Sequence, residues 1–382
     1  MAGIITNTAT DKAFVSKQLY IILHRFYFYT SDICCIFHSL YCSVMKKLLL
    51  TVAICGGLLS VAYSQDPNFS QFFASPLTLN PALTGKFDGL YRVAGNYRNQ
   101  WPTIFNAYTT YTASFDAGIL KDRIPDYDQF GIGVLGFSDQ AGDGVLKTNS
   151  AALSVAYHKS LDENGYNQIG AGFQGAFVSK RLDVTKLTFE DQLTTSGFTG
   201  TTSEVFSGKE VAVSYFDMNA GVLYNGTSNG YNNFYFGASM YHINRPKESF
   251  QGDPYFLLSP RITFQAGGKL PVGQYNYLHF SAIHSIQAKA HNTEIGGAYG
   301  INLSPEQESP TTIYFGSWFR FGDAIIPYIG LDFGEFQLGA TYDVNISSLR
   351  PGSETRGGAE LSLIYIKKPT DPNAKKLNCP KF

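Results

Sequence analysis

Glu335–Asn345 reads EFQLGATYDVN, and this stretch decides the fold. Phe336, Leu338, Ala340, Tyr342 and Val344 alternate with Glu335, Gln337, Gly339, Thr341, Asp343 and Asn345. Successive side chains of a β-strand leave on opposite faces, so the segment has one apolar and one polar face. In a soluble sandwich the apolar face meets a core. In an outer-membrane barrel it meets lipid, and the polar face lines a lumen.

How often the pattern recurs separates the two cases. Tyr91–Gln100 sets Tyr91, Val93 and Tyr97 against Arg92, Asn96, Arg98 and Gln100. Tyr108–Ile119 sets Tyr111, Ala113, Phe115 and Ala117 against Thr110, Thr112, Ser114 and Asp116. Further strands fit 128–138, 149–160, 167–178, 211–224, 233–242, 259–270, 277–287, 292–302, 311–321, 324–332, 335–344 and 358–366. They make fourteen in all, an even number, and their lengths match the roughly 9–11 residues that cross a bilayer at a tilt. Closure would leave no unpaired edge in lipid. The expected fold is all-β: a transmembrane antiparallel outer-membrane β-barrel of about 14 strands over 91–366.

Composition agrees. The chain is 44% hydrophobic and 15% aromatic, and its 15% charged residues fall below the roughly 25% of a soluble domain. A formal charge of −1 leaves no basic footprint, so nucleic acid is not an expected partner.

From Met45 the chain reads MKKLLLTVAICGGLLSVAYSQ, with two lysines, an apolar run, and Ala62 and Ser64 before Gln65. This is a signal peptide over 45–64, cleaved near Ser64/Gln65. Residues 1–44 make little sense upstream of it, and we expect translation from Met45. The region before Gln65 holds five of the 29 basic and two of the 30 acidic residues, leaving 24 against 28. It also holds Cys34, Cys35, Cys42 and Cys55, so only Cys379 remains and no internal disulfide or cysteine metal site is expected. Lipidation at Cys55 is disfavoured by the bulky Ile54 before it.

Residues 65–90 do not alternate and are punctuated by Pro67, Pro76, Pro81 and Gly85. Phe69, Phe72, Phe73 and Leu77 must nonetheless be buried. This lead-in either plugs the lumen, covers its periplasmic mouth, or meets a partner; plugging is the favoured reading. With a periplasmic N-terminus, the long connections 179–210, 243–258 and 345–357 face outward and the short ones inward, as in known barrels. A Lys- and Pro-rich tail, 367–382, then ends in the periplasm. It is either solvated or a docking segment.

The sequence carries no persuasive catalytic constellation. Gly131, Gly133 and Gly136 spell G-x-G-x-x-G inside an alternating strand, without the helix a dinucleotide needs. His158, His242, His279, His284 and His291 show no metal-binding spacing, and His279 and His284 flank a break in alternation that suggests a bulge. Asp139 and Asp143, near Gly142 and Gly144, fit a solvated turn better than a calcium loop.

The motifs QDPNFSQFFASPLTLNPALTG (65–85), NYRNQWP (96–102), TYTASFDAGI (110–119), LTFEDQ (187–192), YDVNISSL (342–349), GGAELSLIY (357–365) and CPKF (379–382) resemble the PorP/SprF family. The resemblance implies a fourteen-stranded outer-membrane barrel of the type IX secretion and gliding machinery of Bacteroidota, without catalysis or cofactor. It implies support for the secretion or surface anchoring of large adhesins. The implied partners are translocon components, periplasmic ring or linker proteins, and an adhesin C-terminal domain, besides outer-membrane lipid. Candidate plug or partner contacts in these motifs are Phe69, Gln71, Phe72, Asn80, Pro81, Asn96, Arg98, Gln100, Trp101, Cys379 and Phe382. The rival reading is a passive channel for small or apolar solutes, since barrels of this size can conduct.

Overall fold

The computed structural model describes residues 66–369 and 379–380, apart from 105–106, 121–122, 207, 251–254 and 305–310. The signal peptide, residues 1–44 and Phe382 lie outside these residues. Fourteen antiparallel strands close into one barrel in chain order, the first pairing with the last. They are β1 (Tyr91–Gln100), β2 (Tyr108–Ile119), β3 (Gln129–Ala141), β4 (Leu146–Ser160), β5 (Asn167–Asp183), β6 (Glu210–Gly226) and β7 (Asn233–Tyr241). There follow β8 (Arg261–Val272), β9 (Asn276–Gln287), β10 (Ala290–Asn302), β11 (Thr312–Arg320), β12 (Ala324–Phe333), β13 (Phe336–Asn345) and β14 (Arg356–Lys367).

Burial settles which way the faces point. On β13, Phe336 and Leu338 are 46% and 48% exposed, whereas Thr341 and Asp343 are 6% and 2% exposed. On β2, Tyr111 and Phe115 are exposed while Thr110, Thr112, Ser114 and Asp116 are buried. Apolar side chains outside and polar ones inside are the arrangement of a membrane barrel. Aromatic contacts mark both rims. Phe115, Tyr91, Tyr365 and Phe336 form a chain of ring contacts at one end, and Trp101 meets Tyr108 at the other. Among the described residues no helix is long and apolar enough to cross a membrane; the strands do so.

We call the end where β1 begins the near mouth and the opposite end the far mouth. The connections 184–209, 242–260 and 346–355 all lie at the far mouth. The longest is folded on itself, with a small hairpin at Leu193–Thr194 and Gly197–Phe198 and Phe189 stacked on Phe206 at 5.7 Å.

The bulge expected near His279 and His284 is absent, and β9 keeps an unbroken register with both neighbours. Alternation breaks there because Ile283 points into the lumen and joins an apolar cluster with Trp318, Ile326 and Phe72. The register shift falls instead at Asp343/Val344, where β13 meets β14.

Candidate functional site

The lumen is threaded by the lead-in, 66–90. The first described residue, Asp66, lies at the far mouth, against side chains at the far ends of β7, β8 and β9. Connection lengths alone suggest a chain that starts at the near mouth. Instead the lead-in enters from the far mouth, runs the length of the lumen and turns directly into β1. Three short helical turns, Phe72–Ala74, Pro76–Leu79 and Pro81–Leu83, shape it. Pro76 and Pro81 open the second and third, positions where a missing N–H costs nothing.

At the far mouth Asp66 is gripped three ways. His242 Nε2 lies 2.7 Å from Asp66 Oδ2, Arg261 Nη1 lies 3.3 Å from it, and the Asp66 N–H donates to Gln287 Oε1 at 2.8 Å. His242 Nδ1 stands 3.0 Å from Asp217 Oδ1, close enough for attraction but off the line of a hydrogen bond. Burial works against a charged imidazole, but Asp66 and Asp217 outweigh it and push His242 up to about 9. Burial likewise opposes a charged Asp66, yet His242 and Arg261 hold its carboxyl below the usual range.

One turn further in, Ser70 is saturated. Its hydroxyl donates to Asp343 Oδ1 at 2.7 Å and accepts from Arg98 and, at 2.6 Å, from Arg320. Its N–H and that of Gln71 donate to the two oxygens of Glu360 at 2.8 and 3.0 Å. Arg98 also bridges Glu360 and Asp343 at 3.0 and 2.8 Å, and Arg320 bridges Asp343 and Glu294 at 2.9 and 3.0 Å. The Gln71 amide accepts from Ser362 at 2.7 Å and donates to the Glu360 carbonyl at 3.1 Å. Two cations and three carboxylates thus meet around a piece of plug backbone, all of them buried.

Mid-lumen contacts are apolar and main-chain. Phe73 packs 5.0 Å from Trp318, and Leu77 packs among Leu135, Ala152, Ala176 and Val178. The Leu77 carbonyl accepts from Gln174 and Tyr241, and the Leu79 carbonyl from Ser239. Asn80 donates to the Val222 carbonyl at 3.0 Å and accepts from Ala82 N at 2.8 Å, which caps the last turn. Wall glycines make room for this close approach. A Cβ on Gly172 would stand 2.4 Å from the Pro81 carbonyl carbon, and one on Gly131 2.2 Å from the Thr84 carbonyl oxygen. Gly131 of the G-x-G-x-x-G run therefore serves packing.

At the near mouth Gly85 N–H donates to Asp116 at 2.7 Å, and Arg92 holds the same carboxylate. Lys86 is buried and donates to Gln129 and Gln168. Burial lowers its pKa, an effect that nearby Cys379, itself buried, opposes.

The structure places Phe69, Gln71, Phe72, Asn80, Pro81, Asn96 and Arg98 in the lumen, buried. Arg98 and Gln71 meet around Glu360, and Asn96 accepts from Thr112 at 3.3 Å. Gln100 and Trp101 sit apart from the plug, at the far rim, where Trp101 N–H donates to Gly357. Cys379 lies at the opposite end, by Lys86. Sequence reasoning does not single out Ser70, Asp343, Glu360, Glu294 or Arg320. For the four charged residues the available signal is a charge on a lumen-facing strand position. Among the described residues no group of His, Cys, Asp and Glu is arranged to hold a metal.

The family described as Type IX secretion system membrane protein PorP/SprF matches residues 61–365. No functionally curated relative matches. Among solved structures, a Pseudomonas aeruginosa FadL homologue aligns at 11% identity and TM-score 0.42, covering 75% of this chain and 92% of that one. The Ralstonia pickettii toluene transporter TbuX aligns at 9% and 0.41, covering 76% and 91%. The CymD monoaromatic hydrocarbon channel aligns at 9% and 0.41, covering 78% and 94%.

Proposed function

Since the chain belongs to the PorP/SprF family of type IX secretion system membrane proteins, we propose that it supports the secretion or surface anchoring of large adhesins through protein–protein contacts, without catalysis. Its partners are components of the same system (translocon, periplasmic ring or linker proteins) and an adhesin C-terminal domain. It sits in the outer membrane after signal-peptide removal near Ser64/Gln65, with the far mouth outward. The long connections at that mouth support this orientation.

The observation that carries the reading is the occupied lumen. A solute channel needs a continuous water path. Here the lead-in fills the barrel axis and is held at both mouths and between them. What stays available to partners is the outer wall, the far-mouth loops and the near rim with its tail. Deleting the gene is expected to strip adhesin from the cell surface while leaving outer-membrane permeability to small solutes unchanged. Intact adhesin display with slower uptake of a small solute would favour the passive channel.

A further inference from the structure

Four arginines of the lumen each meet a carboxylate. Arg92 pairs with Asp116, Arg98 with Asp343 and Glu360, Arg261 with Asp66, and Arg320 with Glu294 and Asp343. Lys86, at the near mouth, does not. It is 1% exposed, and among the described residues its Nζ donates to amide oxygens alone, Gln129 Oε1 at 3.0 Å and Gln168 Oε1. A buried ammonium without a counter-charge is costly.

Three strands build the seat around it. Gln129 on β3 stands directly opposite His158 on β4, and Gln168 follows on β5. Gln168 donates its own amide nitrogen to the Tyr127 carbonyl at 2.6 Å, which fixes its oxygen on Lys86. Gln129 is satisfied on one side only. Its oxygen is on Lys86, while its buried amide nitrogen has no partner among the described residues. His158 Nε2, buried and close enough to feel the charge of Lys86, has none either. A cation and an amide donor thus stand unanswered at one spot, and what complements them is an anionic acceptor.

The chain brings one there itself. Cys379 is buried, although it belongs to a Lys- and Pro-rich tail, and it lies within electrostatic reach of Lys86. That burial rules out a solvated tail at this residue. Of the described tail residues beside Lys86, Cys379 and Pro380, only the thiol can become an anion, and a neighbouring lysine favours its ionisation. We propose that Cys379 sits as a thiolate against the Lys86 ammonium, and that this pair latches the C-terminal tail into the near mouth. The thiol gives its proton to water as the tail seats. The latch ties the lead-in to the opposite end of the chain, and it holds whichever side of the membrane the near mouth faces. A partner that takes the tail must leave Lys86 without its counter-charge, so the tail is withheld from weak competitors.

The test uses the full mature chain in micelles, where Cys379 is the single cysteine. The far-ultraviolet absorbance of wild type minus that of Cys379→Ser therefore reads the thiolate alone. At neutral pH wild type is expected to show the absorbance of one thiolate, and Lys86→Gln to lose it. Hydrogen exchange of the tail peptide 377–381 reads docking. Cys379→Ser, similar in size but uncharged, should exchange about tenfold faster than wild type, whereas Cys379→Asp, which keeps the charge, should stay within about twofold of it. Packing of a neutral thiol predicts the reverse order. No thiolate in wild type, a thiolate that survives Lys86→Gln, or a Cys379→Asp tail as fast as that of Cys379→Ser overturns the proposal. So does a Cys379→Ser tail as protected as wild type, which would give the counter-charge to the terminal carboxylate instead. Heat-modifiable gel migration checks that each barrel is folded. If Lys86→Gln fails it, the Cys379 variants, which lie outside the barrel, decide the matter alone.

Discussion

Ser70 has one proton to give and two lone pairs to offer, and Asp343, Arg98 and Arg320 use all three. Removing Asp343 leaves two buried guanidiniums short of a partner, the situation in which a broken buried pair costs about 3–5 kcal/mol. Asp343→Ala should therefore lower the temperature of heat-modifiable unfolding sharply. Lys159→Ala is the contrast. That side chain is 54% exposed although it pairs with Asp128 at 3.1 Å, and such pairs contribute no more than about 1 kcal/mol. Glycines divide in the same way. Gly172→Ala drives a methyl into Pro81 and is expected to cost about 1–3 kcal/mol. Gly95→Ala opens onto space and should stay within about 0.5 kcal/mol. Urea titration in micelles reads both; equal costs would mean the lead-in gives way freely at Pro81.

At the scale of elements, period-two alternation is a good guide wherever both faces have a fixed environment. Tyr91–Gln100 and Tyr108–Ile119 have the ends the pattern suggests. β5 runs on to Asp183, five residues beyond the alternating part, because past the lipid slab hydrogen bonding continues while nothing dictates polarity. The lead-in is legible as apolar and irregular, but its direction is not. A face pattern says inward or outward and is silent on which residue meets which across a lumen. Arg98 and Asp343 are 245 positions apart. The far-mouth grip on Asp66 has a pH signature. His242, one residue beyond β7, is pushed up to about 9. A raised folded-state value means that its contribution is complete below the ordinary 6.5 and is lost as pH rises through about 9. Wild type should lose His242's contribution to thermal stability between about pH 7 and 10, whereas His242→Gln should be lower at neutral pH and lack that loss. Parallel curves would show that the grip does not depend on the imidazolium.

For the whole molecule, the decisive quantity is how often the lead-in leaves. It is covalently continuous with β1 at the near mouth, so it can only swing out from the far end, and doing so must break the Asp66 grip and the Ser70 network together. Breaking several buried polar interactions at once makes open states rare, because each carries its own desolvation cost. Wild type in a planar bilayer is therefore expected to be silent, with brief openings at most. Arg98→Ala with Arg320→Ala removes the cations that tie Ser70 to three carboxylates. Those acids then face one another and the plug without a counter-charge, so the lead-in should detach and openings should become frequent. Large steady currents from wild type would mean that the barrel works as a pore with an ornamental plug. Silence from both proteins would mean that the apolar grip on Leu77 and Phe73 suffices without the charged one.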